Sequence, residues 1–193
     1  TLRSDFVNNI SHEFKTPIVS IRGFAKLLKN DNLTPQQRNE YLDIILQESD
    51  RLTTLSTNVL LLSNLENTDF AFETNVFSLD EQLREVILML NPQFEDRQVD
   101  ISLAENVYVD ANEELLQHVW INLLNNAIKF TTSEDSISIA LDIYDEEAVV
   151  WVKDTGIGMT EDTQKRIFDK FYQENSSRST NGNGLGLSLV RKI

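Results

Sequence analysis

Apolar residues recur at three- and four-residue intervals from the start of the chain: Ile10, Phe14, Pro17, Ile21, Phe24 and Leu28 make one stripe. That period predicts a first helix running to about Lys29, with a polar turn over residues 30–33. Thr34 followed by Pro35 reads as an N-cap and first helical position. The second helix keeps the same rhythm through Tyr41, Ile45, Leu52, Leu55, Val59 and Leu62, interrupted only by Glu48. Ile44, Leu60 and Leu61 widen its stripe beyond what one partner helix covers. Two such hairpins should therefore pair into a four-helix bundle, which predicts a homodimer.

The rhythm breaks over residues 67–75, and the texture becomes mixed from Val76. Two domains are expected, residues 1–68 and residues 69–193. In the second, 79–94 and 113–130 read as helices, and 99–103 and 107–109 as short strands. Residues 136–144 and 148–154 alternate apolar with polar positions, as antiparallel strands with one covered face do. The pattern is that of an α+β sandwich. Residues 174–184 are a polar stretch rich in Gly, Ser and Asn.

Charge and composition narrow the functions. A formal charge of −14, from 31 acidic and 17 basic residues, argues against nucleic acid or an anionic membrane as partner. An anionic nucleotide needs local basic groups, backbone donors or a metal ion. With no cysteine there is no disulfide, thiolate metal site or catalytic thiol, which fits the cytoplasm. No apolar run reaches the roughly 18 residues of a membrane span. Both ends read as cuts in a longer protein, which leaves room for an upstream membrane anchor or sensor.

Three groups of residues carry candidate chemistry. His12 lies off the apolar stripe, two positions from both Ile10 and Phe14, so its ring should face solvent. Imidazole has a reference pKa of about 6.5 and is the side chain best suited to nucleophilic work near neutrality. Pro17 cannot donate to the carbonyl of Glu13, so a loosened turn is expected beside it. On the 113–130 helix, Leu116, Trp120, Leu123, Ala127 and Phe130 form an apolar stripe, and His118, Asn122, Asn126 and Lys129 a polar one. An amide oxygen can ligate Mg²⁺ and a lysine can meet phosphate. Glycines at 156 and 158 after a strand, and at 182, 184 and 186 before a final helix, let backbone approach an anion. Taken singly, each has an ordinary reading: a solvated histidine, a polar helix face, a tight turn, a loop.

In order along the chain, the segments resemble the boxes of the two-component sensor histidine kinases. Phe6 with Ser11-His12-Glu13-Phe14-Lys15-Thr16-Pro17 is similar to the H box, and residues 122–130 to the N box. Asp154, Gly156 and Gly158 resemble the G1 box, Phe168 and Phe171 the F box, and residues 182–187 the G2 box. The resemblance implies a dimeric phosphoacceptor hairpin, then the ATP-binding α+β domain shared with gyrase-type ATPases, a mixed sheet backed by helices. It also implies ATP, Mg²⁺ and a response-regulator receiver domain as partner.

By motif position, His12 would be the phosphorylated residue and Glu13 its general base or orienting group, while Thr16 matches the position that serves dephosphorylation of the regulator. Asn126 would coordinate Mg²⁺, with Asn122 and Lys129 close to the phosphates. Asp154 would accept from the adenine amino group, and Gly156 and Gly158 would turn the chain around the nucleotide. Phe168 and Phe171 would pack the lid. Gly182, Gly184 and Gly186, with Leu185 in the same loop, would bring backbone N–H groups to the phosphates. Asn183 stands where threonine is frequent, His118 where glutamine is common, and the chain stops before the domain's usual last strand. Two alternatives are a gyrase-like ATPase without phosphohistidine and a non-catalytic nucleotide-binding scaffold.

Overall fold

Thr34 starts the second helix by closing a capping box: its hydroxyl accepts from the Gln37 N–H, and its own N–H donates to Gln37 Oε1. In the computed structural model, which describes residues 2–67, 72–173 and 182–193, this helix is α2 (Pro35–Glu66) and the first is α1 (Leu2–Leu27). Their seam is the stripe read from the sequence. Pro17 is buried, and Ile10, Phe14, Ile21 and Phe24 are half-buried. The Phe24 and Tyr41 rings lie 5.4 Å apart across the pair. α1 runs through Pro17 without ending, so the loosened turn expected there does not interrupt the helix. It closes two residues before Lys29, where the N–H groups of Lys29 and Asn30 tighten onto carbonyls three residues back.

Beyond the hairpin come β1 (Asn75–Ser78), α3 (Leu79–Phe94), β2 (Gln98–Leu103), β3 (Tyr108–Ala111), α4 (Glu113–Lys129), β4 (Ser136–Tyr144), β5 (Glu147–Asp154), α5 (Glu161–Arg166) and α6 (Gly186–Lys192). β1 pairs antiparallel with β3 as a separate ribbon. β2 runs parallel to β4, and β4 antiparallel to β5, so the larger sheet is open and mixed. The strand expected at 107–109 begins one residue later and extends to Ala111. β1 is too short for alternation to announce it. α5 is polar throughout and is set by its cap, Thr160, whose hydroxyl accepts from the Thr163 N–H.

Ile137, Ile139 and Leu141 on β4 are shut from solvent beneath α3 and α4, against Leu83, Val86, Leu90 and Leu124. Polar bonds fix the angle of the helices. Trp120 Nε1 donates to Gln82 Oε1 at 2.9 Å, and Gln82 Nε2 to the Glu113 carbonyl at 2.7 Å. The Arg97 guanidinium donates to the carbonyls of Phe94, Ile128 and Thr131, tying together the C-terminal ends of α3 and α4. The buried residues of α4 are Leu115, Val119, Trp120, Leu124 and Ala127, so only Trp120 and Ala127 of the stripe expected are fully covered. Leu116, Leu123 and Phe130 are half-buried instead, and α6 covers the polar side of the helix beside Asn122.

A second, smaller core joins the two domains. Leu185 and Leu189 of the α6 region are fully buried with Leu55 and Leu62 of α2, and Phe6, Phe14 and Phe171 pack around them. Leu61 is thus covered by this chain's own α6 region, whereas Leu60 stays 64% exposed. Ile18, Leu27, Leu42 and Leu46 are also exposed on the hairpin.

Asp80 locks the start of α3. It is only 3% exposed, and burial alone would raise its pKa. Bonds from the Ser78 hydroxyl, Arg84 and the N–H groups of Val107 and Asn106 outweigh burial and hold it at about 2. A carboxyl lowered by folding stabilises the fold above its ordinary pKa and loses that contribution as pH falls through the folded value. Asp80→Asn should therefore lower the urea midpoint at pH 7, and the gap to the parent should narrow from about pH 4 towards pH 2.

Candidate active site

His12 is exposed on α1, as its phase predicts. The Thr16 hydroxyl donates to the His12 carbonyl at 3.3 Å, and the Ser11 hydroxyl to that of Val7 at 2.8 Å, so both bend back along the helix. Glu13 is half-buried and reaches across the hairpin, where its Oε2 accepts from Arg51 Nη2 at 3.3 Å. Arg51 lies 38 residues away, and no local pattern in the sequence announces the pair.

In the second domain the loop before α6 lies on the polar face of α4. Asn122 Nδ2 donates to the His118 carbonyl at 2.8 Å, which leaves Oδ1 towards the loop. A Cβ on Gly186 would stand 2.5 Å from that Oδ1, and one on Gly182 would stand 2.8 Å from Lys129 Nζ. Asn122, Asn126, Lys129 and His118 are consequently half-buried, not a solvated face. Burial lowers the pKa of Lys129. Its ammonium also sits 4.9 Å above the Phe130 ring.

Gly184 has φ +65°, and a Cβ there would lie 2.7 Å from Phe171 backbone atoms. The Phe171 N–H donates to the Gly184 carbonyl at 2.8 Å, coupling the F-box segment to the loop. Asn183 Oδ1 accepts from the Leu185 N–H at 3.1 Å. Leu185 itself turns its side chain into the interdomain core rather than over α4. The Phe171 ring meets Phe6 of α1 at 5.6 Å, and Phe168 carries the Arg191 guanidinium 5.7 Å from its ring centre. Lys170, which had not stood out in the sequence, lies over Phe6 and forms an ion pair with Glu66 of α2.

The turn after β5 is tied to both of its neighbours. Asp154 is exposed, and its Oδ1 accepts from the Gly156 N–H at 3.0 Å. Thr155 donates its N–H to the Ser136 carbonyl and accepts the Ser136 N–H on its hydroxyl, which donates in turn to Asp135. The Thr132 N–H and hydroxyl, with Thr155, hold the Asp135 carboxyl below its ordinary pKa. The Ile157 N–H reaches the Phe130 carbonyl, and a Cβ on Gly156 would overlap that same oxygen. Only glycine fits there. Thr155 beside Asp154 was visible in the sequence, but its partner at 135 was not.

Comparison with known proteins follows this division. Residues 2–68 match the His Kinase A (phospho-acceptor) domain, and residues 111–193 match the Histidine kinase-, DNA gyrase B-, and HSP90-like ATPase family. Heme sensor protein HssS of Staphylococcus saprophyticus is 33% identical over 195 residues, a match covering 100% of this chain and 41% of the relative. The chain therefore spans less than half of that protein. The catalytic domain of histidine kinase ThkA matches with 32% identity and a TM-score of 0.54, over 63% of this chain and 80% of that one. ThkA in complex with response regulator protein TrrA gives 27% identity and a TM-score of 0.72, over 88% and 50%. Full-length ShkA in complex with AMPPNP gives 28% and 0.66, over 97% and 40%.

The glycine geometry sets an order of tolerance. Gly158, at φ +67°, has open space around its Cβ position, so alanine there meets only the left-handed backbone, roughly 1–2 kcal/mol. Gly184, at φ +65°, has backbone in the way as well. Gly184→Ala should lower the unfolding midpoint more than Gly158→Ala does, as read by thermal denaturation.

Proposed function

The chain belongs to the sensor histidine kinases, and on that premise we propose that it forms phosphohistidine at His12 from ATP and passes the phosphoryl group to an aspartate of a response-regulator receiver domain. One observation carries the reading most directly: a solvent-exposed histidine at the H-box position shares a chain with a glycine loop packed on Asn122 and Lys129. The His Kinase A match over residues 2–68 weighs against a gyrase-like ATPase that never forms a phosphoprotein.

Neutral His12 attacks the γ-phosphorus in line through one ring nitrogen. The N–P bond forms as the bond from that phosphorus to the bridging oxygen breaks, and ADP leaves with the electron pair. Glu13 takes the proton from the other ring nitrogen. Lys129, in its half-buried setting, offsets phosphate charge in an otherwise acidic chain, and Asn122 orients the reacting end. Backbone N–H groups around Gly182, Gly184 and Gly186 meet phosphate oxygens, and Leu185 anchors that loop. Asp154 accepts from the adenine amino group, with Gly156 and Gly158 shaping the turn beneath it. Thr16 serves the reverse reaction, dephosphorylation of the regulator. Phe168 and Phe171 steady the lid.

Among the described residues there is no cluster of three carboxylate or imidazole groups able to hold a metal by itself. Mg²⁺ binds through few protein oxygens and several phosphate oxygens, and the amide oxygen of half-buried Asn126 is a donor of that kind. Asn126 would hold it, and the ion would offset charge on the phosphates. AMPPNP in ShkA supports the nucleotide, and TrrA in the ThkA complex supports the receiver-domain partner. Exposed Ile18, Leu42, Leu46 and Leu60 on the hairpin support a homodimeric four-helix bundle. No described helix is long and apolar enough to cross a membrane. Dependence on ATP puts this segment in the cytoplasm.

His12→Gln should abolish labelling from γ-labelled ATP while AMPPNP binding, read by calorimetry, survives. Acid-labile phosphate persisting on that variant would contradict the assignment.

A further inference from the structure

Arg51 stands between two carboxylates and satisfies only one. Its Nη2 donates to Glu13 Oε2 at 3.3 Å, linking α2 to the residue that follows His12. Its Nη1 lies 3.9 Å from Oε2 of Glu48, one turn earlier on α2 and too far for a hydrogen bond. That Oε2 is shut off from solvent and has no hydrogen-bond partner among the described residues. A buried acceptor left without a donor is a standing cost, and a guanidinium about 1 Å nearer would remove it. The five-donor fork of arginine can serve either carboxylate. Arg51 and Glu13 are about one-quarter exposed, so the bond between them is weak enough to exchange.

Helix geometry gives the exchange a purpose. Neighbouring side chains on a helix point about 100° apart, so Glu13 does not meet the His12 ring without turning towards it. In this structure its carboxylate is engaged by Arg51 of α2. We propose that Arg51 is a positioning residue for phosphoryl transfer: it restrains Glu13 at rest and releases it by moving its hydrogen bond to Glu48. The proposal rests on the reading of Glu13 as the group that takes the His12 ring proton. In the step so controlled, one ring nitrogen bonds to the γ-phosphorus, ADP leaves with the electrons of the broken P–O bond, and the proton of the other nitrogen goes to Glu13.

The test is autophosphorylation of the full-length protein with γ-labelled ATP, with rate constants at saturating ATP and KM measured separately. Arg51→Gln should raise the rate constant about three- to fivefold with KM for ATP unchanged, because a partly exposed pair has little more than that to release. Arg51→Lys, which keeps the charge, should stay close to the parent. Glu48→Gln, which weakens the alternative acceptor, should lower the rate constant by a similar factor. The double variant should behave as Arg51→Gln alone. A fall in both single variants, additive effects in the double, or no change in either would overturn the proposal. Should Arg51→Gln disturb folding, seen as a lost melting transition, the fall expected of Glu48→Gln decides alone. A parent that takes no label would overturn the kinase reading and this inference with it; a labelled parent with unresponsive variants overturns the inference only.

Discussion

Burial of Leu185 and Leu189 against Leu55 and Leu62 is the contact on which the rest of the molecule depends. It holds three consecutive residues to three different elements. Gly184 backs onto Phe171, whose ring packs against Phe6 of α1; Leu185 fills the core with α2; Gly186 rests on Asn122 of α4. Any movement of this loop is therefore felt by the phosphoacceptor hairpin and by the polar face of the nucleotide domain together. Apolar burial supplies most of that coupling, and the bond from the Phe171 N–H to the Gly184 carbonyl and the ion pair of Lys170 with Glu66 add direction.

The second constraint is steric. α4 presents Asn122, Asn126 and Lys129 to a loop that approaches closely only because residues 182 and 186 lack side chains. At Gly156 the same logic applies to the Phe130 carbonyl at the end of that helix. Both glycine loops are thus gauged against one helix, whose own position is fixed by Trp120, Gln82 and Arg97. The nucleotide site proposed for this acidic protein rests on such local arrangement, a half-buried ammonium beside glycine backbone, and not on overall charge.

Much of this was legible in the sequence, for local reasons. The stripe from Ile10 to Leu28, the Thr34 cap and the bounds of α3 and β4 follow from period and capping, which act within a few residues. Exposure of His12 followed from the same phase. What the sequence withheld is held by distant partners. Arg51 meets Glu13 across a hairpin, Asp135 steadies Thr155 from the neighbouring strand's end, and Leu185 leaves its loop for another domain. The polar face of α4 is half-buried because α6, from the far end of the chain, covers a side that amphipathicity alone assigns to water. Short elements such as β1 and α5 have too few residues to show a period and are defined by their caps and pairing.

In the function proposed, the histidine on one domain receives phosphate from a nucleotide held by the other. Intact-mass measurement of the purified protein after incubation with ATP and Mg²⁺ tests it most directly. The expected result is a gain of one phosphoryl group per chain, mapped to His12 and lost on brief acid treatment. Consumption of ATP with the mass of the chain unchanged would contradict it.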